Sequence, residues 1–327
     1  MATYKGIQGY SVQKLSSDPT ASEAEGQLWY NTTAGKFKIS TAGAGAWSSG
    51  GNLNTGRVGS SGAGIQTAAN MTFGSIPADT ANSETYNGTA WTEGNNATTA
   101  RARLSGCGTS TATLYAGGAV GGTDSALTET YNGTSWTEVG DLQLARQTKM
   151  AAVGTSTAAM TFGGGGAIPV QSVNEIWNGT SWTEGADLNT ARRAVAALGT
   201  VNTAAICAGG DLPGSTAVTE EWNGTSWTEV NDLTTARHSL CGAGAVTSGI
   251  ACGGAPGAVA LTEKYDGTSW TEVGDMATGR DQGGAAGGAA GGTVALAMAG
   301  DTPGGTRSNL TEEWDDPVYT IKTVTVS

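Results

Sequence analysis

The stretch Glu220-Glu221-Trp222-Asn223-Gly224-Thr225-Ser226-Trp227 decides the fold, because it returns along the chain with little change. The string Glu-x-aromatic-Asn-Gly-Thr-x-Trp also runs from Glu84 to Trp91, Glu129 to Trp136 and Glu175 to Trp182. A fifth copy, Glu263 to Trp270, carries Asp266 in place of Asn, and a last begins at Glu312 and Trp314 before it breaks down. An arginine stands ten residues after each outer tryptophan: Trp47–Arg57, Trp91–Arg101, Trp136–Arg146, Trp182–Arg192, Trp227–Arg237 and Trp270–Arg280. Successive tryptophans lie 44, 45, 46, 45 and 43 residues apart. A recurring period in the forties marks a repeat architecture.

Working outward from that stretch gives one repeat. After Arg192 comes a run of small residues, Ala194 to Gly199, then a polar turn, Thr200 to Thr203. An apolar strand, Ala204 to Ala208, is closed by Gly209 and Gly210. The loop Asp211 to Ser215 leads to a third strand, Thr216 to Trp222. Asn223-Gly224 reads as a type I′ hairpin turn into a fourth strand around Trp227, Thr228 and Glu229. Four antiparallel strands per unit are what one propeller blade needs. First strands are built from small residues: Leu104 to Gly108, Met150 to Gly154, Val195 to Gly199 and Gly283 to Ala290. Tyr and Trp fall on third and fourth strands, so the unit tapers like a wedge. Glycine inside a strand costs roughly 0.5–1 kcal/mol relative to Ala, a cost that close backbone approach near an axis explains.

This pattern resembles the kelch repeat, a strand ending in a double glycine, then a Tyr and a Trp, then an Arg before the next strand. The double glycines are Gly117-Gly118, Gly163-Gly164, Gly209-Gly210 and Gly253-Gly254, with weaker copies at Phe73-Gly74-Ser75 and Ala299-Gly300-Asp301. The aromatics are Tyr131/Trp136, Trp177/Trp182, Trp222/Trp227 and Tyr265/Trp270. The resemblance implies an all-β chain: a six-bladed kelch-like β-propeller over 47–318, preceded by an N-terminal hairpin or anchor segment at 1–46. Residues 319–327 form a C-terminal strand, with Ile321, Val324 and Val326 alternating, that closes the ring or pairs elsewhere. The segment at Trp47 is expected to complete the blade begun after Arg280, because an unsealed ring exposes edges.

Composition narrows the function. The formal charge of −12 disfavours nucleic acid and anionic membrane surfaces as partners. Met1 to Ser11 has no apolar core of signal-peptide length, so synthesis without a signal peptide is expected. Gly283 to Gly300 carries no charge over roughly a transmembrane length, but it is rich in glycine and splits into two repeat strands, so no membrane insertion is expected. Cys107, Cys207, Cys241 and Cys252 fall at unmatched places without metal-ligand spacing and read as small buried thiols. The single histidine, His238, cannot assemble the copper site that some related propellers carry, so neither a cofactor nor a metal is expected.

Among candidate sites, the six arginines and the recurring Glu84, Glu129, Glu175, Glu220, Glu263 and Glu312 read as a structural brace between adjacent blades, either Arg–Glu or Arg–backbone. The Asn-Gly-Thr strings at Asn87, Asn132, Asn178 and Asn223 fit a hairpin better than glycosylation. What varies is more informative. The residue after each arginine reads Val58, Ala102, Gln147, Arg193, His238 and Asp281, and the loops after the second strands differ in length and chemistry. Gln147, Arg193, His238, Asp281, Asp211, Asp301 and Arg307 are therefore the candidate binding face.

The segment Gly26 to Lys38 reads as a hairpin, with Leu28, Trp29, Tyr30 and Phe37 flanking Ala34-Gly35. It resembles a short module of tailed-phage (marine, cyanophage-type) fibre and virion structural proteins, which makes these four residues the candidate virion anchor. That resemblance implies a non-enzymatic bacteriophage virion protein, made in the host cytoplasm and carried in several copies per particle. A tail fibre or receptor-contact component is the expectation, with other virion proteins and a host-surface glycan or protein as partners. The alternatives are a capsid decoration protein and a cellular kelch adaptor binding a peptide at the channel mouth.

Overall fold

The computed structural model describes residues 12–21, 24, 26–148, 150–166 and 169–324. The expected readings at Met1 to Ser11, at Ala167 and Ile168 of one connection, and at Val326 lie outside these residues. The chain divides into two units, Ala46–Asp315 and a smaller one combining Met1–Gly45 with Asp316–Ser327.

In the larger unit the described residues form six four-stranded antiparallel sheets. One consists of Ala196–Val201, Ala204–Ala208, Thr219–Trp222 and Trp227–Val230, paired in that order. Its second strand is enclosed beyond its first residue, with Ala205, Ile206, Cys207 and Ala208 at 0% exposure. Small side chains on the first strand let neighbouring sheets approach: a Cβ on Gly242 of the next sheet would lie 2.5 Å from the Ala197 carbonyl oxygen. At the wide end Trp222 stands opposite Trp227, ring centroids 5.5 Å apart. The same opposed pair recurs at Tyr86/Trp91, Tyr131/Trp136, Trp177/Trp182 and Tyr265/Trp270, at 4.9–5.3 Å. Such pairs add roughly 0.5–1.5 kcal/mol each beyond their buried area.

The last sheet is assembled from both ends of the unit. Gly284–Ala286, Val294–Met298 and Thr311–Asp315 are completed by Ala46–Ser49, with Trp314 opposite Trp47. The strand before the first arginine thus supplies the fourth strand of the sheet begun after Arg280. Without Ala46–Ser49 this sheet would keep three strands and leave the Thr311–Asp315 edge unpaired.

Three local expectations need correction. The Asn-Gly turn is not type I′: pairing Trp222 with Trp227 leaves four residues, Asn223 to Ser226, in the loop. Asn223 keeps a negative φ while Gly224 sits at +93°. The Asn223 Oδ1 accepts the N–H groups of Thr225 and Ser226 at 2.9 and 3.0 Å, so the side chain caps the turn. This explains Asp266, whose Oδ1 takes the N–H groups of Thr268 and Ser269 at 2.8 Å and whose pKa those bonds hold below the usual value. Asn223→Asp should therefore shift stability by less than about 0.5 kcal/mol, whereas Asn223→Ala should cost about 1 kcal/mol; urea denaturation of both variants measures the difference.

The first strand expected over Gly283 to Ala290 is only Gly284–Ala286, followed by a 3-10 turn at Gly288–Ala290. That glycine-rich hairpin is longer than its counterparts and folds back on its neighbours: a Cβ at Gly291 would lie 2.3 Å from the Gly244 nitrogen. The third strand expected from Thr216 begins at Thr219, because the backbone of Thr216 and Val218 is engaged elsewhere. The Thr216 carbonyl accepts from Arg237 N–H and the Val218 carbonyl from the Arg192 guanidinium.

In the smaller unit Gln13–Leu15, Leu28–Asn31, Lys36–Gly43 and Val318–Thr323 form one sheet in that order. The expected hairpin is present, with Tyr30 opposite Phe37, and the C-terminal strand pairs along Lys36–Gly43. Among the described residues no helix is long and apolar enough to cross a membrane.

Candidate functional site

Each repeating arginine lies on the connection that enters a sheet, three residues past a backbone N–H aimed at the same carboxylate. The ion pairs are Arg57–Glu84, Arg101–Glu129 (2.9 Å), Arg146–Glu175 (3.3 Å), Arg192–Glu220 (2.8 Å), Arg237–Glu263 (2.8 Å) and Arg280–Glu312. All twelve side chains are at most 4% exposed. The second carboxylate oxygen of each Glu accepts the N–H of Asn54, Thr98, Gln143, Asn189, Thr234 or Ala277 at 2.6–2.7 Å. In five of the six, Nη1 also donates to strand-end carbonyls, as Arg237 does to Gly253 (2.7 Å) and Leu261 (2.9 Å), whereas Arg146 donates through Nη2 to Thr161 Oγ1 (2.8 Å). Burial pulls the pKa of Arg57, Arg101 and Arg146 down, and the paired glutamates pull it back.

The backbone of the same arginines reaches the preceding sheet. The N–H of Gly74, Gly118, Gly164, Gly210, Gly254 and Gly300 donates to the carbonyl of Arg101, Arg146, Arg192, Arg237, Arg280 and Arg57, at 2.8–3.0 Å. The series returns from Gly300 to Arg57. The double glycine exists for this contact: at Gly209-Gly210 φ is +64° and +118°, a conformation that side chains rarely adopt. Phe73 and Ala299 hold the first position in the two weak copies at φ +67° and +59°. Each arginine thus ties its own sheet by its side chain and the preceding sheet by its carbonyl, so the brace expected between adjacent sheets is the backbone contact and not the Arg–Glu pair, which stays with one sheet.

The variable positions follow directly. The residue after each brace bridges to the residue after the glycine pair: Val58 to Ser75, Ala102 to Ala119, Gln147 to Gly165, Arg193 to Asp211, His238 to Ala255 and Asp281 to Asp301. The two sets of connections therefore lie side by side on one face of the ring unit. Arg193 binds Asp211 through Nε (2.9 Å) and Nη2 (2.8 Å). Asp211 stays below the usual carboxylate pKa, since bonds from Gly214 N–H and Arg193 outweigh its burial. Asp301 is shifted up by burial and by Asp281 beside it, against Arg307. His238 Nδ1 lies 2.9 Å from Ser215 Oγ.

A cavity of about 280 Å³ gathers Arg193, Asp211 and His238 with Thr148, Ser239, Arg103 and Gln282. A second, of about 490 Å³, holds Asp301 and Arg307, again with Arg103 and Gln282. Gln147 differs from expectation: it is buried, its amide bonded to Arg103 and to the Gly122 carbonyl. Asp281 lines neither cavity.

Arg103 and Gln282 were not singled out from the sequence, although their position is regular. Gly59, Arg103, Thr148, Ala194, Ser239 and Gln282 each follow a brace arginine by two residues, and all have φ between +53° and +66°. Their backbones chain together: Gly59 N–H donates to Gln282, Arg103 to Gly59, Ala194 to Thr148, Ser239 to Ala194 and Gln282 to Ser239, at 2.6–3.1 Å. This belt fixes the connections against one another.

Of the candidate anchor residues, Trp29 is buried (1%) and donates through Nε1 to Asp18, while Leu28 (45%) and Phe37 (42%) are exposed. Strand alternation separates them: Leu28, Tyr30 and Phe37 share one face, Trp29 the other.

No family model matches the chain, and no curated protein matches it. Many solved structures do, among them YjhT, with a TM-score of 0.66 and 13% identity over 84% of this chain and 100% of YjhT. At that identity the likeness concerns the fold: an all-β, β-propeller-like arrangement of four-stranded antiparallel sheets.

Proposed function

We propose that the ring unit is a six-bladed kelch-like β-propeller and that the protein is a non-enzymatic virion component, a tail fibre or receptor-contact protein. The observation that carries this reading is the pairing of variable connections on one face of an otherwise repeated frame. Side chains there differ from sheet to sheet while the backbone bridges beneath them stay the same, so recognition can change without disturbing the fold. The partner at that face is a host-surface glycan or protein. Weak single contacts become firm adsorption when several copies act together.

The smaller unit is the attachment end in this reading. The exposed Leu28 and Phe37, with the half-buried Tyr30 between them, form an apolar surface on one side of its sheet, suited to docking on another virion protein. The anchor is thus a three-residue face, with Trp29 holding the sheet together from behind.

Two variant pairs separate the roles. Arg193→Ala with Asp211→Ala removes a partly exposed ion pair and should change stability by no more than about 1 kcal/mol. Particles carrying it should adsorb to host cells at least tenfold less. Leu28→Ser with Phe37→Ser should leave adsorption by the isolated protein unchanged and reduce its incorporation into particles. Unchanged adsorption by the first pair would refute the recognition face. A capsid decoration role is distinguished by copy number: hundreds per particle on a stoichiometric gel would replace the fibre reading.

A further inference from the structure

The sequence places four cysteines at unmatched positions, but the fold brings two of them face to face. Cys241 begins the strand Cys241–Ala245 and Cys252 ends Ser248–Cys252, and the register sets them directly opposite. Both side chains join one cluster with Met276 and Ala297, so they point to the same side of the sheet. They are 6% and 1% exposed, and no disulfide joins them in this structure. Opposed residues of an antiparallel pair hold their Cα atoms roughly 4.5–5.5 Å apart, within the roughly 4.4–6.8 Å that a disulfide spans. The other two thiols have no such neighbour in their ladders: Cys107 faces Leu114, and Cys207 faces Ala197 and Glu220.

We propose that Cys241 and Cys252 are a modification site, a cross-strand disulfide that closes in an oxidising medium and staples the first two strands of the fifth sheet. With oxidised glutathione as the oxidant, one cysteine thiolate attacks its disulfide, forming a mixed disulfide and releasing one glutathione thiolate. The second cysteine then displaces the other glutathione. The pair gives up two electrons and two protons, and the oxidant is reduced to two glutathione thiols. Hydrogen bonding to Cys241, together with burial, pushes the Cys252 thiol well above its ordinary pKa. The thiolate is therefore scarce at neutral pH, so the native pair reacts slowly and alkaline pH accelerates it.

The full chain, unfolded and reduced, would be refolded with or without oxidised glutathione, then alkylated and mapped by mass spectrometry. The expected product is two hydrogens lighter, carries a Cys241–Cys252 cross-linked peptide, and is alkylated only at Cys107 and Cys207. The native protein incubated with oxidised glutathione should give the same product, faster at alkaline than at neutral pH. The Cys241→Ser variant should show three alkylated thiols under all conditions. Four free thiols in the native alkaline incubation, or a mapped linkage between any other pair, would overturn the proposal.

Discussion

Glu220→Ala should lower the stability of the ring unit by about 3–5 kcal/mol, as expected when one partner of a buried ion pair is removed. Arg192 is 0% exposed, and without Glu220 its charge has no buried counter-ion, since its other partners are carbonyls of Cys207, Gly209 and Val218. The same substitution releases two donors of Asn189, its N–H at 2.7 Å and its Nδ2 at 2.9 Å, so the incoming connection loosens as well. The double variant Glu220→Leu with Arg192→Met removes the stranded charge and should recover part of the loss. Recovery stays incomplete because the carbonyls that Arg192 served go unpaired, at about 1 kcal/mol or more each. Urea denaturation of the single and double variants provides the test. A loss below about 1 kcal/mol for Glu220→Ala would mean that the braces follow the fold rather than hold it.

That brace was legible in the sequence because it obeys the period: Glu220 and Arg192 recur at fixed places, and the twelve residues can meet only if each repeat folds alike. Glycine pairs and opposed aromatics were legible for the same reason. The remainder depends on registers that a pattern does not contain. Asn-Gly suggested a two-residue turn, and only the Trp222–Trp227 pairing makes it a four-residue loop with Asn223 as cap. Cys241 and Cys252 looked unrelated because their alignment depends on the length of the hairpin between them. Gln147 looked available at a variable position, yet its long amide reaches Arg103 and Gly122 and is buried there. Arg103 and Gln282 had a signal in their constant offset of two from each brace, but the residue type at that offset changes in every repeat. Conserved backbone conformation under a varying side chain leaves little trace in one sequence.

Trp182→Ala should cost about 3–5 kcal/mol, the range for deleting a buried aromatic from a core. The indole is 3% exposed and lies 5.3 Å from Trp177 in its own sheet. It belongs to a cluster with Leu114, Ala116 and Leu142 of the preceding repeat, and its Nε1 donates to Thr128 Oγ1 at 3.1 Å in that sheet. The cavity therefore opens between two sheets, where neither can close it alone. Trp182→Phe keeps most of the volume and should cost less, about 1–3 kcal/mol, through the lost hydrogen bond and poorer fit. The shape of the transition is as informative as its midpoint. In an open stack of repeats, weakening one interface lets the stack come apart there, and the transition broadens or splits. In an array closed by Trp47 on Trp314 and by Gly300 on Arg57, each sheet is held from two sides. Both variants should then unfold in one transition, seen alike by tryptophan fluorescence and circular dichroism. A split transition for Trp182→Ala, with the other sheets melting at the parent midpoint, would show that closure does not couple the sheets.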